Sequence, residues 1–297
     1  MRRLLFATCF LAAILYAHAG GAAPDRDDLV GVMNGHIAVA EDTLLDLAIE
    51  HDLGYVEIVA ANPGIDPWLP PAGRFIVLPT MHVLPTAERR GIVINVAEMR
   101  LYWFPPGGEV VTMPLGIGEG GTASPLGRTV VTRKRANPTW IPPASVRAED
   151  PDLPKVVPPG PDNPLGAYAL DLGWPRFVIH GTNRPYGVGR RVSHGCFRLS
   201  NRNAERLYRE VPIGTQVLVI NQPVKLGWRE NALYLEIHPT LSQADELEQN
   251  GYFTPAPIPG LRQTVLRFVD GREELVDWTL VERAARERSG VPIRISR

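Results

Sequence analysis

The sequence predicts a mainly β protein, with a small α+β unit ahead of the principal domain and a small extension behind it. Three observations carry this expectation. From Gly91 onward, short runs rich in β-branched and aromatic residues alternate with turn residues. Nine prolines fall between Pro138 and Pro164, which excludes helix from most of that stretch and calls for a long ordered loop. Residues 35–80 carry their own punctuated order of strand, helix, helix and strand. At 297 residues the chain is long enough for two domains and a sizeable core.

The chain opens on Arg2 and Arg3, an apolar run from Leu4 to Tyr16, and Ala17-His18-Ala19 before Gly20. That is the pattern of a secretory signal, residues 1–19, cleaved near Ala19. No long apolar stretch follows, so the mature protein is expected to be exported and soluble. In the small unit, 36–39 forms a strand. Asp42 and Thr43 cap a helix through Leu44, Leu45, Leu47, Ala48 and Ile49 that ends near Gly54. A second helix fits 55–61, Asn62-Pro63-Gly64 breaks it, and 74–78 closes the unit as a strand. Pro85 and its polar neighbours make a linker. Strands follow at 92–96, 100–104, 110–113 and 129–132, and, past the proline-rich loop, at 177–179, where the strand delivers His180. Ser200 or Asn201 caps a helix running to about Glu210, and 215–220 returns as a strand. The tail from Gln222 holds further strand-like segments and a helix over 277–289. No internal repeat is visible.

The formal charge of −1 becomes −3 once Arg2 and Arg3 are removed, with 29 basic against 32 acidic residues. No basic excess remains to neutralise phosphates, which argues against a nucleic-acid partner. Gly116-Ile117-Gly118-Glu119-Gly120-Gly121 matches the glycine pattern of a dinucleotide site. Such a site needs a helix opening directly from the glycines, and Thr122-Ala123-Ser124-Pro125-Leu126-Gly127 favours a turn between strands instead.

Cleavage of the signal removes Cys9 and leaves Cys196 without a disulfide partner. A lone thiol in an oxidising compartment reads as a reactive nucleophile or as a buried, inert small hydrophobe. The surrounding Ser193-His194-Gly195-Cys196 and the earlier His180-Gly181-Thr182-Asn183 favour the nucleophile. A thiol with a pKa of about 8.5 is mostly protonated at neutral pH, so an imidazole must take its proton or hold an ion pair, then return a proton to a leaving amine. Gly195 lets backbone approach closely and frees amide N–H groups for an oxyanion. A helix starting just after Cys196 would add its positive end. Zinc on His180, His194 and Cys196 is the competing arrangement. No C-x-x-C pair or H-E-x-x-H supports it, and neither metal nor cofactor is expected.

The run Ser193-His194-Gly195-Cys196-Phe197-Arg198-Leu199, with His180-Gly181-Thr182-Asn183, closely resembles the YkuD-type L,D-transpeptidase catalytic domain. Ser124-Pro125-Leu126-Gly127, Pro138-Thr139-Trp140-Ile141-Pro142-Pro143 and Asn163-Pro164-Leu165-Gly166 support the match, which spans 91–221. Residues 35–80 resemble a LysM module through Glu41-Asp42-Thr43-Leu44 and Ala60-Ala61-Asn62-Pro63-Gly64, and 222–297 form the extension. The resemblance implies a β-rich catalytic domain with Cys196 as nucleophile and His180 as general base. It implies that the Gly181 carbonyl orients the imidazole and that amides around Gly195 and Cys196 form the oxyanion hole, with His194 orienting or structural. Arg198, Ser193 and Asn183 fall on the substrate side, although Arg198 equally suits a structural ion pair. Phe197 stands where the family often has an aliphatic residue. The implied reaction joins Cys196 to a peptidoglycan tetrapeptide stem with loss of D-alanine, then passes the acyl group to an amine. The acceptor would be another stem, giving a 3-3 cross-link, or the terminal lysine of an envelope lipoprotein. Domain order and Gln222-Pro223-Val224-Lys225 look more like the periplasmic lipoprotein-attaching branch. A hydrolase on the same scaffold and a non-catalytic glycan-binding protein are the rival readings.

Overall fold

Short β-branched and aromatic runs assemble into an eight-stranded mixed sheet in a computed structural model that describes residues 27–297. The expected signal segment and Cys9 lie outside those residues. From edge to edge the sheet runs Phe197–Arg198, Val178–His180, Tyr168–Leu172, Gly127–Ala136, Gln216–Ile220, Gly91–Asn95, Arg100–Phe104 and Val111–Pro114. Five of the expected strands therefore appear within a residue of their predicted bounds. Gly127–Ala136 is far longer than expected, because its two neighbours pair with different parts of it. Ile92, Ile94, Leu101, Leu170, Ile179, Phe197 and Val219 are buried, and Ala204 and Leu207 of the helix Asn201–Glu210 pack into the same core. Ser200 caps that helix by accepting from the Asn203 amide at 3.2 Å.

Two neighbouring pairs are parallel, and one of them places the chemistry. Val178–His180 runs parallel to Phe197–Arg198 with Ile179 opposite Phe197 and His180 opposite Arg198. A parallel pair needs a crossover. That crossover is the segment 181–196, which holds the Ser193-His194-Gly195-Cys196 run.

In the N-terminal unit Asn34–Ile37 pairs antiparallel with Phe75–Leu78, around helices Leu44–Glu50 and Tyr55–Ala61. The order of elements is the expected one, with the first strand two residues earlier. The Thr43 hydroxyl accepts from the Asp46 amide at 3.0 Å. Asn62 is buried and fixes the turn, donating to the Ile58 and Val77 carbonyls and accepting from the Val77 amide, each at 2.8 Å. Leu44, Ile58, Ile76 and Leu78 share one core with Ile92, Ile94 and Leu101. The unit is thus packed onto the sheet.

The tail is more helical than the sequence suggests. A hairpin, Val224–Arg229 with Ala232–Ile237, turns on Glu230 and Asn231, both at positive φ as a two-residue hairpin turn requires. Ile293–Arg294 joins its edge. Helices Leu241–Asn250 and Leu261–Phe268 accompany the expected one, found at Trp278–Glu287 with Asp277 as its cap. Leu226, Leu235, Val265, Val281 and Ile295 form a second core, while Ala244 and Leu247 join the first. One short helix, Ala144–Glu149, also forms in the proline-rich loop, in the proline-free interval between Pro143 and Pro151.

A buried charged cluster welds the three parts. Arg100 on the sheet holds Glu57 of the N-terminal unit at 2.5 Å. Lys225 of the tail lies 2.6 Å from Glu98, 2.7 Å from Glu236 and 2.7 Å from the Val83 carbonyl. All four charged partners of these pairs, with Lys225 itself, are buried.

Candidate active site

Side chains alternate across a strand, so His180 and Val178 project from one face of the sheet while Ile179 is buried on the other. Continuing the parallel register one residue back from Phe197 sets Cys196 opposite Val178. Cys196, His180 and Arg198 therefore share a face and line one cavity of about 340 Å³, closed on other sides by Trp140, Pro143, Val146 and Phe177. Trp140 and Pro143 belong to the proline-rich loop, whose position over the site the sequence does not encode locally.

The imidazole of His180 is buried, with Nδ1 2.5 Å from the Gly181 carbonyl oxygen. A carbonyl only accepts, so Nδ1 carries the proton and Nε2 presents its lone pair. Burial pulls the His180 pKa down to about 4, with Arg198 and Arg135 adding to the fall and the Gly181 bond opposing it. Cys196 is partly exposed on the cavity wall. Its sulfur lies 3.5 Å from the Arg176 carbonyl, which accepts the thiol proton's weak bond. Burial also pushes the thiol pKa up, partly offset by the Val178 amide and by Arg198. Both shifts favour the uncharged forms. A neutral imidazole beside a neutral thiol suits a proton acceptor better than a standing ion pair. The positive helix end does not assist, since the strand Phe197–Arg198 separates Cys196 from the helix at Asn201.

Gly181 accepts the imidazole bond and donates to the Tyr168 carbonyl at 3.0 Å. A Cβ there would lie 2.2 Å from the Asn201 side-chain oxygen, which would have to shift from the Thr182 amide it accepts at 3.0 Å to make room. Gly195 sits at φ +101, and a Cβ there would meet the Phe177 ring at 2.8 Å. Its amide donates to the Ser193 hydroxyl at 3.2 Å and its carbonyl accepts from Ser124 at 2.9 Å. The Ser193 hydroxyl donates in turn to the Cys196 carbonyl at 2.6 Å, so this side chain, expected on the substrate side, braces the loop from within. Asn183 is exposed, gives its amide to the Asp162 carbonyl at 2.9 Å and does not line the cavity. His194 turns to Glu149 at 2.8 Å, across to the short helix of the proline-rich loop. Arg198 reaches the cavity without an acidic partner within salt-bridge distance among the described residues, and its Nε is buried and unpaired. That removes the structural ion pair expected as one of its roles. Sequence reasoning missed Arg176, whose backbone at φ +71 brings its carbonyl to the sulfur. Only an aligned structure could have signalled it. Ser124 lay in a quoted motif but without an assigned role.

Residues 89–219 match the family model of the L,D-transpeptidase catalytic domain, YkuD. Over 92% of its length the chain is 40% identical to the probable L,D-transpeptidase YbiS of Escherichia coli K12, covering 90% of that protein. It is 38% identical to the probable L,D-transpeptidase ErfK/SrfK of the same organism, over 99% of this chain and 94% of that one. An L,D-transpeptidase structure from Mycobacterium smegmatis matches with a TM-score of 0.35 at 22% identity, over 51% of this chain and 71% of that chain.

Proposed function

Because the chain belongs to the L,D-transpeptidase family and is a transpeptidase, we propose that Cys196 carries the acyl group of a peptidoglycan stem as a thioester and delivers it to an amine. The observation that supports this best is the shared face of His180 and Cys196 on one cavity, with the imidazole Nδ1 held by Gly181. In the first half-reaction, Nε2 takes the thiol proton as sulfur attacks the carbonyl carbon between the diamino acid and the terminal D-alanine. The carbonyl oxygen takes the electron pair. The Cys196 amide is the proposed donor to it, since the Gly195 amide is already given to the Ser193 hydroxyl. Collapse breaks the C–N bond, and His180 returns its proton to the departing D-alanine amine. In the second half-reaction His180 takes a proton from the attacking amine while the thioester breaks and sulfur regains a proton. The unpaired Arg198 suits the carboxylate of the leaving D-alanine.

The proposed acceptor is the terminal lysine of an envelope lipoprotein, with a second stem as the alternative and water as the hydrolytic rival. Export to the periplasm is part of this reading and is supported by Arg2, Arg3, the apolar run and Ala17-His18-Ala19. The N-terminal unit is proposed to bind peptidoglycan as a LysM-like module, supported by its strand, helix, helix, strand order. Incubating purified protein with muropeptides, with and without a lysine-ended peptide, and reading masses separates these outcomes. Loss of D-alanine with gain of the peptide supports the lipoprotein acceptor. Loss of D-alanine with gain of water alone would overturn transfer.

A further inference from the structure

The strand that leads into the nucleophile loop has little backbone support of its own. Among the described residues Arg191–Ser193 pairs only with Ile117–Gly118, in a two-stranded ribbon outside the eight-stranded sheet and with an irregular register. Ile117 donates to the Arg190 carbonyl and Glu119 to the Ser193 carbonyl, both at 3.0 Å. Side chains supply the remaining anchorage: the Thr122 hydroxyl donates to the Ser193 carbonyl at 3.1 Å, and Arg190 and Arg191 are held from the C-terminal tail. Arg191 Nη1 pairs with Asp245 and donates to the Leu241 carbonyl at 3.0 Å. Arg190 Nη1 lies 2.8 Å from Glu248, and its guanidinium stacks 3.7 Å above the Tyr55 ring of the N-terminal unit.

Neither arginine lines the catalytic cavity. Asp245 and Glu248 both belong to the helix Leu241–Asn250, whose Ala244 and Leu247 are fixed in the main core. From that rigid base the path to the sulfur is short: Asp245 holds Arg191, two residues of strand lead to Ser193, and the Ser193 hydroxyl holds the Cys196 carbonyl at 2.6 Å.

We propose that Asp245 and Glu248 are positioning residues for acyl transfer. Through Arg191 and Arg190 the C-terminal tail sets the place of the Gly195–Cys196 turn relative to His180. This rests on the reading of Cys196 as nucleophile. A misplacement on the order of 1 Å costs about 10²-fold in rate, so loss of the clamp acts on turnover more than on binding.

The test uses the full chain carrying Asp245→Asn, Glu248→Gln, both together, or Asp245→Glu, assayed well below the melting temperature. Two quantities are read: kcat and KM with a muropeptide donor and lysine-ended acceptor, and the pH profile of Cys196 alkylation by iodoacetamide. The double variant is expected to lose about 10- to 100-fold in kcat with KM within a few-fold, and to shift the alkylation profile. Asp245→Glu, which keeps the charge, is expected to recover most of the loss. Unchanged kcat and an unchanged alkylation profile would overturn the proposal, even with a lowered melting temperature, because the carboxylates would then only stabilise. Should the double variant fail to fold, Glu248→Gln alone is read by the same two criteria. If the wild-type protein transfers nothing, the alkylation profile still decides the clamp, and the transfer reading fails separately.

Discussion

A neutral imidazole beside a neutral thiol has to move one proton before the sulfur can attack, and this sets how the site responds to pH. His180 must be unprotonated to act as base, and burial has brought its pKa to about 4. The acid limb of kcat/KM is therefore expected near pH 4, well below the value of an ordinary histidine. A limb near pH 6.5 would mean that the imidazole is solvated in the working enzyme. The same shift enters stability. The unfolded chain binds a proton at His180 below about pH 6.5 and the folded one only below about 4, so stability is full above 6.5 and falls as pH drops through that window. His180 alone contributes a loss of about 3 kcal/mol at its lower end. Burial, with the nearby Arg100, Lys225 and His238 adding to it, also holds His82 well below the usual histidine value, with the same sign. Denaturant unfolding of wild type and His180→Asn across pH 4 to 7 isolates the His180 share, and parallel curves would refute it. In turnover, Cys196→Ala is expected to abolish transfer in a folded protein, and His180→Ala to lower it by at least about 10²-fold. The pair itself was legible in the sequence, because both residues sit in a dense motif. The neutral protonation state was not, since it depends on burial by segments far along the chain.

At the scale of elements, what was legible was what short-range chemistry dictates. The helix Tyr55–Ala61 was read to the residue from its apolar pattern and the breaker that follows, and Thr43 and Ser200 from their capping chemistry. Helices Leu241–Asn250 and Leu261–Phe268 were not, because each buries few residues. The docking of elements was equally silent. The amides of Tyr55 and Val56, orphan donors at a helix start, are satisfied by the carbonyls of Val188 at 3.3 Å and Gly189 at 3.1 Å. That contact needs glycine on both sides. Gly189 lies at φ +73, and a Cβ there would stand 2.2 Å from the Gly54 Cα. Gly189→Ala is expected to destabilise the protein by about 2 kcal/mol or more, combining a left-handed backbone with a backbone clash. It should also slow turnover, since Arg190 and the nucleophile strand follow directly. A thermal melt and a rate check both; a variant unchanged in each would show the helix and loop to be only loosely apposed.

At the scale of the whole molecule, motif resemblance marks three segments where packing has made one body. The boundary near residue 80 is crossed by a common core and by the buried Glu57–Arg100 pair, and the boundary near 222 by Lys225 between Glu98 and Glu236. Neither weld was legible, because Glu57, Glu98 and Lys225 read locally as ordinary surface residues. They bear on what the N-terminal unit does. A tethered module would raise effective concentration on the polymer and leave the active site untouched. A packed one must also support the fold. Deleting residues 27–80 removes part of the shared core and leaves Arg100 without its carboxylate, a break that costs about 3–5 kcal/mol in buried pairs. Turnover of small soluble muropeptides should therefore fall along with turnover of intact sacculi. The proposed glycan role is separated by a gentler change. Phe75 is 57% exposed and lines an open groove with Asn62, Pro63 and Arg74. An exposed aromatic face beside polar groups suits a sugar ring, so Phe75→Ala is expected to weaken pelleting with sacculi while muropeptide turnover stays within a few-fold. Equal pelleting by wild type and Phe75→Ala would remove this groove as the glycan site. A deletion variant that kept full activity on soluble muropeptides would show that the catalytic domain stands without the unit packed onto it.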